Sequence, residues 1–198
     1  MSARPQLSGG TVDLILDAAE RRAQVLGFNG FSYADVAGEL GVTAASIHYH
    51  FPAKTDLGVR LIERYTQRFL AALAQIERHP DGAWARLQDY AGIYERVLAE
   101  GRLCLCGILA AEYETLPERM RGPIGAFFGA NEDWLTAQLS EGRQAGVLAF
   151  EGEPRGVAAA LTGALEGAML VARARGGAEA FVSTSALALR SLCQPLSP

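Results

Sequence analysis

Apolar residues in this chain recur at helical spacing almost from end to end, and no convincing run alternates apolar with polar residues. Spacings of three and four put one face of a helix on a core, whereas a half-buried strand needs a period of two. The chain is therefore expected to be all-α. Val12, Ile15, Leu16, Ala19, Ala23 and Leu26 mark the inner side of a first helix, which Thr11 can cap and Gly27 and Gly30 can end. Ser32 followed by Asp35 has the form of a capping box for a short helix near 33–40. Gly41 then stands where a left-handed residue is wanted, and Thr43 can cap a second short helix, 44–50, stopped by Pro52. Longer helices are expected at about 55–78, 83–100, 102–116, 124–144, 155–175 and 178–193, with glycines and prolines at their borders.

Composition narrows the class. An apolar share of 49% in 198 residues supports a packed core. The longest stretch without a formal charge is 14 residues, 40–53, short of the ~20 that a spanning helix needs, so no membrane partner is expected. No secretory leader is recognisable, and three cysteines are too few for a disulfide framework, which together suggest a cytoplasmic protein. The net charge of −4 excludes a wholesale basic protein. Residues 1–70 are balanced, with 7 basic and 7 acidic side chains, and residues 71–198 carry 11 and 15. A neutral segment still binds nucleic acid when its cations share one face. GxSxG, P-loop, GxGxxG and HExxH patterns are all missing, so neither an enzyme nor a cofactor is expected. Cys104 and Cys106 lack nearby metal-ligating partners, so no metal site is expected either.

Residues 33–50 have the spacing of a helix-turn-helix, with the tight turn at Leu40-Gly41-Val42. The first short helix braces, and the second is short enough to lie in a major groove ~12 Å wide. Val42, Ile47 and Phe51 would face inward. Thr43, Ala44, Ala45, Ser46, His48 and Tyr49 would face outward, with no formal charge. Small residues at 44 and 45 permit close backbone approach, and alanine methyls can touch a thymine methyl. Ser46 and His48 can hydrogen-bond bases or phosphates, and Tyr49 can reach the sugar-phosphate wall. His50 and Lys54 follow at the next helix start, where an ammonium and free N–H groups would clamp a phosphate.

The segment ILDAAERRAQVLGFNGFSYADVAGELGVTAASIHYHFPAKTDLGVRLIERY (15–65) resembles the DNA-binding domain of the TetR family of transcriptional regulators. The shared pieces are Gly27…Gly30-Phe31-Ser32, Val36-Ala37, Leu40-Gly41-Val42 and Ser46-Ile47-His48-Tyr49-His50-Phe51, followed by Lys54 and Leu57. The resemblance implies base reading mainly from positions 44, 45 and 48. It implies phosphate contacts from Ser32, Tyr33, Ser46, Tyr49, His50 and Lys54. A tyrosine is common in the family where His48 stands, and the N-terminal arm, often basic in the family, offers only Arg4.

The same resemblance implies a DNA-binding domain over 1–54, a connecting helix at about 55–78, and a helical regulatory and dimerisation domain over 79–198. That second domain would hold a small-molecule effector and pair two protomers through its last two helices. Gly156, Ala160, Gly163, Gly167 and Ala168 suit close helix approach. Candidate pocket residues are Trp84, Tyr90, Tyr94, Cys104, Glu112, Tyr113, Phe127, Phe128 and Trp134. Glu112 would either meet a ligand or pair with Arg119 or Arg121, the ion pair being the more ordinary reading. Cys104, at an expected helix start beside Arg102, is a candidate for sensing oxidants or electrophiles, with an inert buried thiol as the alternative. The expected function is a ligand-released repressor that binds a near-palindromic double-stranded operator as a homodimer.

Overall fold

The computed structural model describes residues 10–195. Arg4 and the arm around it lie outside the described residues. Nine α-helices carry the described chain: α1 Thr11–Leu26, α2 Tyr33–Leu40, α3 Ala44–His50, α4 Lys54–Ile76, α5 Gly82–Ala99, α6 Leu105–Ala111, α7 Glu118–Gln144, α8 Pro154–Arg175 and α9 Ala178–Leu192. A single 3-10 turn, Tyr113–Thr115, separates α6 from α7. The extended pairing among the described residues is two residues long, with Leu148 opposite Pro195 and Ala149 opposite Gln194.

Two compact units emerge. Of the described residues, the first holds 10–65 together with 105–124, and the second holds 66–104 together with 125–195. The stretch 105–124, assigned by the sequence reading to the regulatory domain, thus packs with the N-terminal helices. Contacts of α6 with α1 put it there.

In the first unit, Ile15, Leu16 and Ala19 of α1, Val36 of α2, Ile47 of α3 and Leu57, Leu61 and Ile62 of α4 are all buried. Arg64 ties α4 to α1, donating to Asp17 Oδ1 at 2.7 Å and to the buried Glu20 at 3.3 Å. The capping box is present as expected: Ser32 N–H donates to Asp35 Oδ2 at 2.7 Å, and the Ser32 side chain accepts from Asp35 N–H. Gly41 ends α2 at φ +66°, a left-handed conformation that costs other residues roughly 1–2 kcal/mol. Thr11 does not cap α1. It is the first helical residue, and Gly10 takes the cap position without a side-chain bond.

In the second unit, α8 packs chiefly on α9, and α5 packs on both. Helix α7 begins at Glu118 rather than near 124, with Pro123 inside it. That proline lies in the second turn, where its missing N–H removes one bond, to the carbonyl of Arg119. The expected helix over 102–116 is shorter at both ends, because α6 starts at Leu105 and breaks at Ala111. By length and composition alone, α8 is long and apolar enough to cross a membrane.

Candidate functional site

Helix α3 is seven residues long and is held at both ends. Thr43 accepts the Ser46 N–H at 3.2 Å, and Ile47 is fully buried beneath. Ala45, Ser46, His48 and Tyr49 are exposed, and Ala44 and His50 are half-buried. Tyr49 stands furthest out at 84% exposure. The His48 ring packs edge-on against Tyr33 at 4.6 Å, with Nδ1 3.4 Å from the Pro52 carbonyl. When Nδ1–H donates there, Nε2 is left as an outward acceptor. An open depression of about 490 Å³ lies beside α3, lined by Ser32, Tyr33, Ala44 and His48.

Three of the expected phosphate contacts, Lys54, Tyr33 and Ser32, have partners within the chain. Lys54 Nζ turns inward and donates to the carbonyls of Phe28 and Phe31. It also sits 4.5 and 4.3 Å from the ring centroids of the same two residues. Burial draws this ammonium below the usual lysine range, opposed by Glu112 and Asp35. Its work is to close the loop between α1 and α2, whose carbonyls would otherwise lack donors. Lys54→Ala is therefore expected to cost about 1–3 kcal/mol of stability. The salt slope of DNA binding should stay unchanged, rather than falling by the ~1 that loss of a phosphate contact produces. Thermal unfolding and a salt titration check both halves.

Tyr33 is likewise internal. Its hydroxyl donates to the Phe51 carbonyl at 2.8 Å, and burial followed by the Asp56 charge raises its pKa to about 12. Ser32 spends its hydroxyl on the capping box, donating to Asp35 Oδ2 at 2.6 Å. The Ser32 hydrogen bonds hold the Asp35 carboxyl below the usual carboxylate range.

Glu112 departs most from expectation. It meets neither a ligand pocket nor Arg119 or Arg121. Arg119 pairs with Asp56 at 2.9 Å, and Arg121 donates to the carbonyls of Leu116 and Glu114. Glu112 Oε2 instead accepts the Phe28 N–H at 2.6 Å, while Oε1 accepts the Asn29 N–H and side-chain amide at 3.3 and 3.4 Å. Asn29 also donates to Thr115 Oγ1 at 2.8 Å. Gly27 makes room for this: at φ +79°, a Cβ added there would lie 2.5 Å from Glu112 Oε1. Tyr113, 42% exposed, packs under Arg121.

The remaining pocket candidates form the interior of the second unit. Tyr90, Tyr94 and Phe127 are essentially fully buried. Tyr90 stacks on Trp134 at 5.6 Å, and its hydroxyl lies 3.0 Å from that of Tyr94 and 3.2 Å from Asn131 Oδ1. Phe128 packs edge-on against Phe127 at 5.3 Å. Trp84 lies elsewhere, in a shallow depression shared with Gln88 and Val182. Sequence reasoning missed Glu166 and Thr162 of α8. Their signal was one carboxylate in the middle of an Ala/Gly/Leu helix. Burial pushes Glu166 up to about 7, against the lowering influence of a hydrogen bond from Cys104. Trp134 Nε1 and Glu166 Oε1 are buried with no hydrogen-bond partner, and the Thr162 side chain reaches the Tyr90 hydroxyl. Cys104 precedes α6 rather than lying in its first turn, is 1% exposed, and receives its surroundings from Met169 and Glu166. Such a thiol is not presented to solvent, and nothing in its setting favours the oxidant-sensing reading. Among the described residues no three metal-ligating side chains come together.

Residues 15–61 match the sequence profile of the bacterial regulatory proteins of the tetR family. Over 91% of this chain and 96% of the other, the structure superimposes with a TM-score of 0.87 on a TetR-family transcriptional regulator from Agrobacterium tumefaciens, at 36% identity. The chain belongs to the TetR family. A second TetR transcriptional regulator, from Legionella pneumophila, is 27% identical over 97% of this chain and all of its own, with a TM-score of 0.83. A regulator from Saccharomonospora viridis, solved in complex with choline, shares the fold at 20% identity and a TM-score of 0.75, covering 94% of this chain and 99% of that one. No curated protein matches the chain. As a TetR-family protein it is a transcriptional regulator of all-α fold with a helix-turn-helix DNA-binding domain, and Ala44, Ala45 and His48 stand on the exposed side of its second short helix.

Proposed function

We propose that this TetR-family regulator is a dimeric repressor that binds a near-palindromic operator and is released by a small molecule. The supporting observation is α3 itself: a short, doubly anchored helix whose outward side is small, polar and uncharged. Ala44 and Ala45 would let it approach base edges, with methyl contacts to thymine. His48, presenting Nε2 as an acceptor, would suit an exocyclic amino group, adenine N6 or cytosine N4. Ser46, Tyr49 and His50, together with the N-terminal N–H groups of α4, would hold phosphates on either side.

Dimerisation is supported by α8. Gly156, Ala160 and Gly163 are exposed, Gly167 is half-exposed, and Leu170 and Val171 continue the same side at 47% and 55% exposure. These positions step by four, three, four and three, which is one helical stripe. A Cβ added to Gly156, Gly163 or Gly167 would meet nothing within 4 Å, so no packing within the chain requires those glycines. Close approach of a second copy does require them. Two reading heads must then sit ~34–36 Å apart to enter successive major grooves. A ligand in the second unit favours one spacing over another only if it binds the two states unequally. A regulator of the same fold solved in complex with choline is consistent with that reading. The regulator has no enzymatic role in this reading.

The test is operator affinity with and without ligand. Selected duplex sites should lose affinity when the effector is added, and unchanged affinity across a broad panel would contradict release. His48→Ala should relax preference at one base pair in each half-site, costing about 1–3 kcal/mol there. If it weakens every duplex equally, His48 holds the backbone instead of a base.

A further inference from the structure

Three helices of the second unit each send two polar or aromatic side chains, one turn apart, into the same interior. Helix α5 supplies Tyr90 and Tyr94, α7 supplies Asn131 and Trp134, and α8 supplies Thr162 and Glu166, spacings that share one helix face. Ring contacts and hydrogen bonds join the sets: Tyr90 touches Tyr94, Asn131 and Trp134, and Tyr94 stacks near Phe181 at 6.5 Å. The Thr162 side chain reaches the Tyr90 hydroxyl, which joins α8 to the tyrosines, and both hydroxyls feel the charges of Glu166 and Cys104. Buried polar atoms are nearly always satisfied, yet this one cluster holds two that are not, an indole donor and a carboxylate oxygen. The groups that act on the Glu166 carboxyl are its buried surroundings and the Cys104 thiol, with no cation among them.

A buried carboxyl with one open oxygen, walled by aromatic rings and lacking a cation of its own, matches a particular ligand chemistry. A protonated amine supplies the missing charge, gains from the ring faces, and offers N–H donors to Glu166 and Thr162. We propose that Glu166, Thr162, Trp134, Tyr90 and Tyr94 form the recognition site for a small organic ammonium compound. The site rests on the reading that the second unit binds a small molecule, and it names that molecule's charge class.

The proton balance supplies a readout. Glu166, with its pKa pushed up to about 7, carries a proton in much of the population at pH 6.5. Ammonium binding favours the ionised carboxylate, so a proton leaves, and affinity weakens as pH falls below about 7. The titratable groups facing Glu166 are Tyr90, Tyr94 and Cys104. Burial raises both tyrosines well above neutrality, and the neighbours from α7 and α9 carry no charge.

Isothermal titration calorimetry on the full chain, with two shape-matched series, tests the site. The series are butylammonium, butanol and butyrate, and benzylammonium, benzyl alcohol and benzoate. At least one ammonium compound should bind ten-fold or more tightly than its alcohol. Its heat at pH 6.5 should vary with buffer ionisation enthalpy, as about three-quarters of a proton is released per ammonium bound. Glu166→Gln should bring that ammonium to the level of the alcohol and abolish proton release. The proton count comes from the unmodified protein, so it stands even if the variant folds poorly. The proposal is overturned if no ammonium exceeds its alcohol, or if a carboxylate binds best. A neutral or anionic compound that binds and releases operator DNA would overturn the proposal while leaving ligand release intact. Ammonium binding with unchanged operator affinity would uphold the site and count against ligand release.

Discussion

Glu112→Ala is expected to destabilise the first unit by about 2–4 kcal/mol, the range for removing a charged acceptor from several donors. For a chain of this size that is a fall in melting temperature on the order of 5–10 °C. The alanine variant leaves the N–H groups of Phe28 and Asn29 and the Asn29 amide without their acceptor. It also removes a charge that supports the Lys54 ammonium. The loop so loosened leads into Ser32, which caps α2, and α2 braces α3. Operator affinity should therefore fall with stability, by roughly ten-fold when measured where the variant is still folded, since ~1.4 kcal/mol of reorganisation is a factor of ten. Glu112→Gln keeps one acceptor and should recover about half of the loss. Scanning calorimetry and a fluorescence-anisotropy titration on one duplex measure both. An unshifted melting temperature in the alanine variant would show that Glu112 does not hold the loop.

Gly163→Arg is expected to act on assembly rather than on folding. A side chain at 163 meets open space within the chain, and replacing a helical glycine gains about 0.5–1 kcal/mol of helix propensity. The arginine would, however, stand in the middle of the small-residue stripe and hold two copies apart. Linked binding is then lost. A second head held by the first acts at an effective concentration that raises avidity by ~10²–10⁴ over one head. Loss of operator affinity of that order is expected, with circular dichroism unchanged and sedimentation showing a single chain. Gly125→Arg makes the same chemical change at another open helical position and should leave the dimer intact. A Gly163→Arg protein that sediments and binds like the parent would remove α8 from the interface.

The helix-turn-helix was legible because its signals are local. Ser32 with Asp35, Gly41, and Thr43 with Ser46 each fix a cap within a few residues, and each appears in the structure as read. The partners of Lys54, Tyr33 and Glu112 were not legible, for one shared reason. Their partners are backbone groups far along the chain: the carbonyls of Phe28, Phe31 and Phe51, and the N–H groups of Phe28 and Asn29. Nothing in a spacing pattern marks a carbonyl that will want a donor once a loop is folded. The interior of the second unit was half legible. Tyr90, Tyr94, Phe127 and Trp134 announce an aromatic core by their type, whereas Glu166 and Thr162 matter only because α8 turns them toward those rings. Pro123 misled the reading of α7, since a proline was read as a helix start but here lies inside the helix, at the loss of one backbone bond.

Selection of the purified chain on a pool of random duplexes at physiological salt bears most directly on α3 as the reading element. Enrichment of an inverted repeat whose half-sites are about one helical turn apart, lost in part by His48→Ala, is the result expected. A chain that enriches no sequence, and whose retention on DNA is unaltered by changes at 44, 45 and 48, would contradict it.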